Sequence, residues 1–540
     1  MKRSFSKVKN KNLPVLNVTE KSEEQLSKIP IKKNLPDRPK VLLIIPNLNW
    51  IDQDMNALWD VLPWNLCMLA AMIEDFCKVE ILDSYKRNLT QEELSVEIKN
   101  INPDVVGITV LMDQYGKSGH IVAEITKQID SDILTVMGGV YATVNPEFVV
   151  KDDNIDYVMI GEAEYSFRDL LNYLRGVDGV KINSGIAYKS NDGVVINKGH
   201  SELIKDLNKL PLPAYHLIDY LSYADTYSDR KSVDAPMGYP YARIVTSRGC
   251  PFKCTFCQVP TIQGRYFRRR SIEHVLDEIL WLKNEYAIKA IIFDDDNLYT
   301  NMKHAKQLFR AMTDGGLNLP WVSIATAVFR LDEEMIDLMY ESGCRYIDIA
   351  IESGSERVIN EIVKKPIDHK QAIRLVKYAR KKGIFVSSNF IIGFPGETWD
   401  EILETISFAE ILNVDYAKIF IAIPLKNTEM YDQAVEQNLL KDDSAESVWT
   451  SGGMLETKEF SSEDLTIFRA YEWERINFSD IKKRKKIADR MGISLDELSI
   501  IRKRTLLNAR NKVANRTISN NKKDGDVVVK TTYPAIASII

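Results

Sequence analysis

From Lys40 onward the sequence alternates short apolar runs with amphipathic stretches of helical period, in two separate blocks. In the first block the runs cover residues 41–46, 79–82, 105–110, 133–137 and 157–160, with helical stretches such as 66–76 and 120–129 between them. Each run is too short for a helix and apolar on both faces, so it needs cover above and below. That requirement predicts a parallel, doubly wound sheet. Such sheets take ligands at the C-terminal ends of their strands, which here read Pro46-Asn47, Thr109, Gly138-Gly139 and Gly161-Glu162.

The second block starts near Arg243, with runs at 244–247, 290–294, 321–325, 346–351, 385–392 and 416–423. Six strand and helix units in succession predict a partial parallel barrel with its reactive end at the strand C-termini. The fold class is therefore α/β, and 540 residues leave room for two or three domains. Residues 1–38 carry little periodic apolar content and read as a mobile leader. The first domain is placed at 39–175 and a connector at 176–240. The connector holds a hairpin signal, Asn191-Asp192-Gly193, and the proline-stiffened LPLPAYHL at 210–217. The barrel is placed at 241–440, and a mainly helical region with a tail at 441–540.

Charge and hydropathy exclude some functions. With 71 basic and 76 acidic residues the net charge is 71 − 76 = −5, which gives no reason to expect nucleic acid. The basic run at 482–486 reads as a solvated helix face. No apolar stretch approaches the roughly 18 residues of a membrane span, and no apolar signal core follows the polar N-terminus. The six histidines show no metal-ligand spacing.

The chemistry concentrates in TSRGCPFKCTFC, residues 246–257, at the end of the first barrel run. Cys250, Cys254 and Cys257 form a CxxxCxxC triplet flanked by Gly249 and Pro251. A structural zinc site wants four ligands, and no second CxxC or histidine pair follows at finger spacing. Three thiolates on one loop can instead hold three irons of a cubane 4Fe-4S cluster and leave the fourth open to a substrate. Cys67, Cys77 and Cys344 lie in apolar patterns and read as core. Thiolate ligands point to a reducing, cytoplasmic setting.

This segment resembles the signature of radical S-adenosylmethionine enzymes. The resemblance implies that the open iron binds that cofactor, with Phe256 at the aromatic position beside the adenine. It further implies that one of Asp294, Asp295 and Asp296 holds the cofactor's amino group, without choosing among them, and that Glu352 in IAIESGSE binds the ribose. Gly393 in NFIIGFPGET and Pro424 match adenine-facing positions. Arg265 and Arg268 to Arg270 could serve the cluster, the cofactor carboxylate or solvent.

The run VMGGVYATVNPE, with NPDVVGITV before it and IGEAEYSF after it, resembles the Rossmann-like cobalamin-binding domain that precedes many radical S-adenosylmethionine barrels. That likeness assigns Thr109, Gly138, Gly139, Gly161 and Glu162 to cobalamin. The DxHxxG motif of domains that ligate cobalt through histidine is missing, so the cobalt would lack a histidine on its lower face. AYEWERINF, residues 470–478, is similar to a helix that follows the barrel in cobalamin-dependent methylases.

Together these likenesses imply a cobalamin-dependent radical methyltransferase that methylates an unactivated carbon of a small-molecule or peptide natural-product precursor, through a 5′-deoxyadenosyl radical and methylcobalamin. They also imply an external electron donor such as flavodoxin or ferredoxin. A cyclase or rearrangement enzyme with the same cofactors is the alternative; an RNA-modifying methylthiotransferase would want a second set of three cysteines in the N-terminal domain, where only Cys67 and Cys77 stand.

Overall fold

The computed structural model describes residues 15–16, 29–51, 62–223, 232–440 and 453–521. The rest of the expected leader and the end of the expected tail, 522–540, lie outside the described residues. The chain divides into two compact units at Ile204/Lys205, with residues 62–64 going with the second.

The first unit is built on an eight-stranded sheet. Its strands are β1 (Val15–Leu16), β2 (Lys40–Ile45), β3 (Lys78–Asp83), β4 (Val105–Thr109), β5 (Leu134–Gly138), β6 (Tyr157–Met159), β7 (Ile186–Lys189) and β8 (Val195–Asn197). Their order is β1-β8-β7-β6-β5-β4-β2-β3. β2 to β6 are parallel, and all five residues of β4 are buried, as the continuous apolar run demands. After β3 the chain crosses to the other side of β2, and this switch in strand order opens a crevice at the C-terminal ends of β2 and β4.

Two features of this unit go beyond the sequence reading. The hairpin of β7 and β8 is part of the sheet, antiparallel against β6, and not a free connector. Residues 29–38, expected in the leader, are packed: Ile29 and Leu35 are buried, Tyr157 donates to the Pro30 carbonyl at 2.6 Å, and Lys32 reaches Asp156 at 2.8 Å. Two apolar side chains in a polar stretch are enough to anchor it, a signal too sparse to show as periodicity.

The second unit carries six parallel strands in consecutive order: β9 (Tyr241–Ile244), β12 (Ala290–Phe293), β13 (Trp321–Thr326), β14 (Cys344–Glu352), β15 (Phe385–Ile392) and β16 (Tyr416–Ile421). A two-stranded ribbon, β10 (Ser247–Arg248) with β11 (Arg268–Arg269), follows β9. Helices return the chain between strands, and their boundaries follow local chemistry. Ser271 caps Ile272–Tyr286 by accepting from the His274 N–H, and Thr398 and Glu401 form a capping box on Trp399–Leu412.

The sheet does not close between β9 and β16, so β16 has an open edge. The helix Ser462–Phe478 lies along that edge. Asn477 presents its side-chain amide as a strand would present its backbone: Nδ2 donates to the Ala417 carbonyl and Oδ1 accepts from the Ala417 N–H, both at 2.8 Å. Trp473, one turn earlier, donates to the Tyr416 hydroxyl at 2.9 Å.

Candidate functional site

The cysteine loop is a closed excursion between β10 and β11, whose pairing of Ser247 with Arg269 and Arg248 with Arg268 fixes its two ends. Gly249 turns the chain with a φ of +82°, and a Cβ there would lie 2.5 Å from the Tyr266 carbonyl oxygen, so both conformation and space require glycine. The Cys250 N–H donates to the Gly264 carbonyl at 3.3 Å. Arg265 and Arg268 donate to the Phe252 and Gln263 carbonyls, while Arg270 pairs with buried Glu278. These three arginines thus bind the protein itself.

All three cysteines are free and partly buried. Burial raises each thiol: Cys254 is pushed up to about 11 and Cys257 to about 12. The ends of other strands converge on them. The charge of Asp296 acts on Cys250 and Cys257, that of Glu352 on Cys254, and that of Lys365 on Cys250 and Cys254. Among the described residues no three His, Cys, Asp or Glu side chains converge as ligands of a single ion would; a cubane spreads its cysteines over separate irons.

The three aspartates after β12 have separate jobs. Asp294 pairs with Arg243 of β9. Asp295 is buried and accepts from the Thr246 N–H and hydroxyl, at 3.1 and 2.8 Å, and from Ser247, tying β12 to the segment that leads into the cysteine loop. Asp296 faces the cysteines. Burial drives its carboxyl up to about 7, helped by the neighbouring Asp295 charge, and its Oδ2 is buried without a hydrogen-bond partner.

Glu352 ends β14 with a φ of +69°, an uncommon conformation for a residue with a side chain. Its Oε1 accepts from Lys365 Nζ at 2.6 Å. The sequence reading does not single out Lys365, whose place in IVKKPID looks like an exposed helix end. Phe256 packs with Ile362 and Ile391 against a cluster of Val358, Val363, Phe394, Ala422 and Met430, which joins the cysteine loop to the ends of β14, β15 and β16. Gly393 has a φ of +86°, and a Cβ there would meet Leu465 at 2.4 Å. The Gly393 and Phe394 N–H groups both donate to Glu397 Oε2. Pro424 is buried three residues beyond β16.

In the first unit Thr109 and Gly138 are partners across β4 and β5, with Asn65 Nδ2 donating to the Thr109 hydroxyl at 3.2 Å. Gly139 has a φ of +91°, and a Cβ there would lie 2.5 Å from the Val110 carbonyl oxygen, whereas a Cβ at Gly138 would meet nothing closer than Met159 at 3.7 Å. Gly161 donates its N–H to Thr143 at 3.0 Å. Glu162 Oε2 accepts the Ile204 N–H at 2.8 Å, a structural task.

These two units match two family models. Residues 244–409 match the radical SAM superfamily and residues 56–171 the B12 binding domain. The chain belongs to the cobalamin-binding radical S-adenosylmethionine methyltransferase family. It is similar to an uncharacterized methyltransferase of Pyrococcus horikoshii, at 34% identity over 75% of this chain and 85% of that one. It is also similar to the cytidylyl-2-hydroxyethylphosphonate methyltransferase of Streptomyces wedmorensis, at 31% identity over 76% and 84%. The fold is that of the radical S-adenosylmethionine methyltransferase TsrM from Kitasatospora setae, with a TM-score of 0.61 at 20% identity over 76% of each chain. OxsB, a cobalamin-dependent S-adenosylmethionine radical enzyme, gives 0.64 at 19% over 87% and 72%. The cofactors of the chain are accordingly a 4Fe-4S cluster, S-adenosylmethionine and cobalamin.

Proposed function

We propose that this enzyme methylates an unactivated carbon of a small-molecule or peptide natural-product precursor. The observation that carries the assignment of the site is the convergence of Asp296, Glu352 and Lys365 on three cysteines of one loop. Three desolvated thiols are neutral by themselves and are deprotonated when a cation binds them, the protons being released to solvent. They therefore fit a cluster.

In this reading Cys250, Cys254 and Cys257 hold the cluster. Asp296, the aspartate whose charge acts on Cys250 and Cys257 and whose Oδ2, like that of Asp295, is buried without a hydrogen-bond partner, accepts from the amino group of S-adenosylmethionine through charge-assisted bonds. Glu352 binds the ribose hydroxyls through the oxygen that Lys365 does not occupy. Phe256, Gly393 and Pro424 wall the adenine. Gly393 contributes backbone shape, since Leu465 already fills the space beside it. Asp294 and Asp295 support the loop. Gly138 and Thr109 form the floor for cobalamin, with Gly139, Gly161 and Glu162 shaping the strand ends around it.

When bound, the cluster and S-adenosylmethionine supply radical chemistry, and cobalamin supplies the methyl group. The protein's part is to position, to exclude water and to fix charge. An external electron donor such as flavodoxin or ferredoxin completes the system. A cytoplasmic setting is part of the proposal, resting on six free cysteines; no helix among the described residues is long and apolar enough to cross a membrane.

Likeness to an anaerobic magnesium-protoporphyrin IX monomethyl ester cyclase of Rubrivivax gelatinosus, at 25% identity, supports a second reading in which no methyl group moves. Product analysis after turnover with candidate precursors separates the two. S-adenosylhomocysteine formed together with 5′-deoxyadenosine supports methylation; 5′-deoxyadenosine alone overturns it in favour of cyclisation or rearrangement.

A further inference from the structure

Between β14 and the helix His369–Lys382 the chain makes a π-helical turn, Val358–Val363. Such turns are rare and recur at functional sites. This one ends on Lys364 in the left-handed region, φ +58°, with the Lys365 N–H donating back to the Ile359 carbonyl at 3.1 Å. The wider ring reverses the chain, so that Lys364 goes outward to Glu429 while Lys365 turns in.

Inside, Lys365 Nζ donates to Glu352 Oε1 at 2.6 Å and to the Ala350 carbonyl at 2.8 Å. The two side chains are only 8% and 5% exposed. The same turn grips the cysteine loop: Thr255, next to Cys254, donates its hydroxyl to the Ile362 carbonyl at 2.7 Å and its N–H to the Val363 carbonyl at 3.2 Å. Position of the loop and position of the ammonium are therefore set by one element. A buried ion pair is a poor source of stability, because desolvation cancels most of the attraction. Its charge is better explained by the groups it acts on, which include Cys250 and Cys254, on the loop that the same turn holds.

We propose that Lys365 is a positioning residue for both halves of the site. Its ammonium fixes Glu352 so that the second carboxylate oxygen faces the ribose, and it supplies a fixed positive charge that favours the cluster after it has taken one electron from the external donor. The inference rests on the reading that the three cysteines hold the cluster and Glu352 the ribose.

The test uses the full chain, anaerobically reconstituted, as wild type, Lys365→Gln, Lys365→Arg and Glu352→Gln. Iron and sulfide are counted, the reduction potential is followed by EPR, and binding of labelled S-adenosylmethionine is measured by equilibrium dialysis. Loss of the positive charge in Lys365→Gln should weaken S-adenosylmethionine roughly tenfold, the low end for outer-shell partners. It should also lower the reduced-to-oxidised ratio at fixed potential about tenfold, which is about 59 mV for one electron. Lys365→Arg should recover the potential. Glu352→Gln leaves the ammonium uncompensated and should move the potential the other way, while also weakening S-adenosylmethionine; this variant decides the matter if Lys365→Gln fails to fold. Potentials unchanged in both glutamine variants, or moved in the same direction, overturn the inference and leave the cluster assignment standing. A wild-type chain that takes up no iron overturns the cysteine assignment itself.

Discussion

The Thr255 hydroxyl donates to the Ile362 carbonyl at 2.7 Å across 107 positions of sequence. Through that bond, and the N–H bond from Thr255 to Val363, the loop carrying the cysteines is held by the turn after the fourth barrel strand. The loop has no regular structure of its own around Cys254, so its shape is borrowed.

Thr255→Val keeps the shape of the side chain and removes the donor. It leaves a carbonyl without its partner, at a cost of about 1–3 kcal/mol. A lower melting temperature and faster bleaching of the cluster in air are expected. Unchanged cluster lifetime would show that the loop does not depend on the turn.

Cys254→Ala should abolish the visible absorbance of the cluster and the formation of 5′-deoxyadenosine, while cobalamin uptake persists. Normal turnover of this variant would sink the central assignment.

Gly138 and Gly139 should respond differently although they are neighbours. A side chain at Gly139 meets the Val110 backbone in a left-handed conformation, so Gly139→Ala should destabilise the fold, by roughly 1–3 kcal/mol. At Gly138 a Cβ makes only an ordinary contact with Met159 at 3.7 Å, so Gly138→Leu should spare the melting temperature while lowering bound cobalt. Full cobalt content in Gly138→Leu would remove the proposed cobalamin floor.

Burial raises the Glu397 carboxyl to about 8, against the lowering pull of the Phe394 and Gly393 N–H groups. Between the ordinary value near 4.5 and 8 the folded chain therefore holds a proton that the unfolded chain has released. Stability should fall as pH rises through that window. Glu397→Gln carries no titrating group and should flatten the dependence. Denaturant melts of both proteins at about pH 5 and about pH 8, the two ends of that window, measure the difference; equal slopes would refute it.

Much of this is legible in the sequence. Continuous apolar runs fix parallel strands because burial on both faces leaves few alternatives, and Phe385–Ile392 occurs over the expected residues. Lys365 is not legible, since its role depends on a π-helical turn and a left-handed residue that no periodicity reports. The choice of Asp296 among three adjacent aspartates also needs the folded structure, because neighbours of identical type differ only in where the backbone aims them. Asn477 stands in a recognised stretch, but its pairing with Ala417 is a long-range match of one amide to one peptide unit.

That pairing bears on how the protein survives its own synthesis. The sixth strand is finished by residue 421, whereas the amide that occupies its edge arrives 56 residues later by sequence number, 477 − 421. Until then a nascent chain exposes a strand able to recruit a neighbour's. The helix is thus a seal added after all six strands are made, and chains truncated before it should self-associate through β16 even where every proposed cofactor ligand is present.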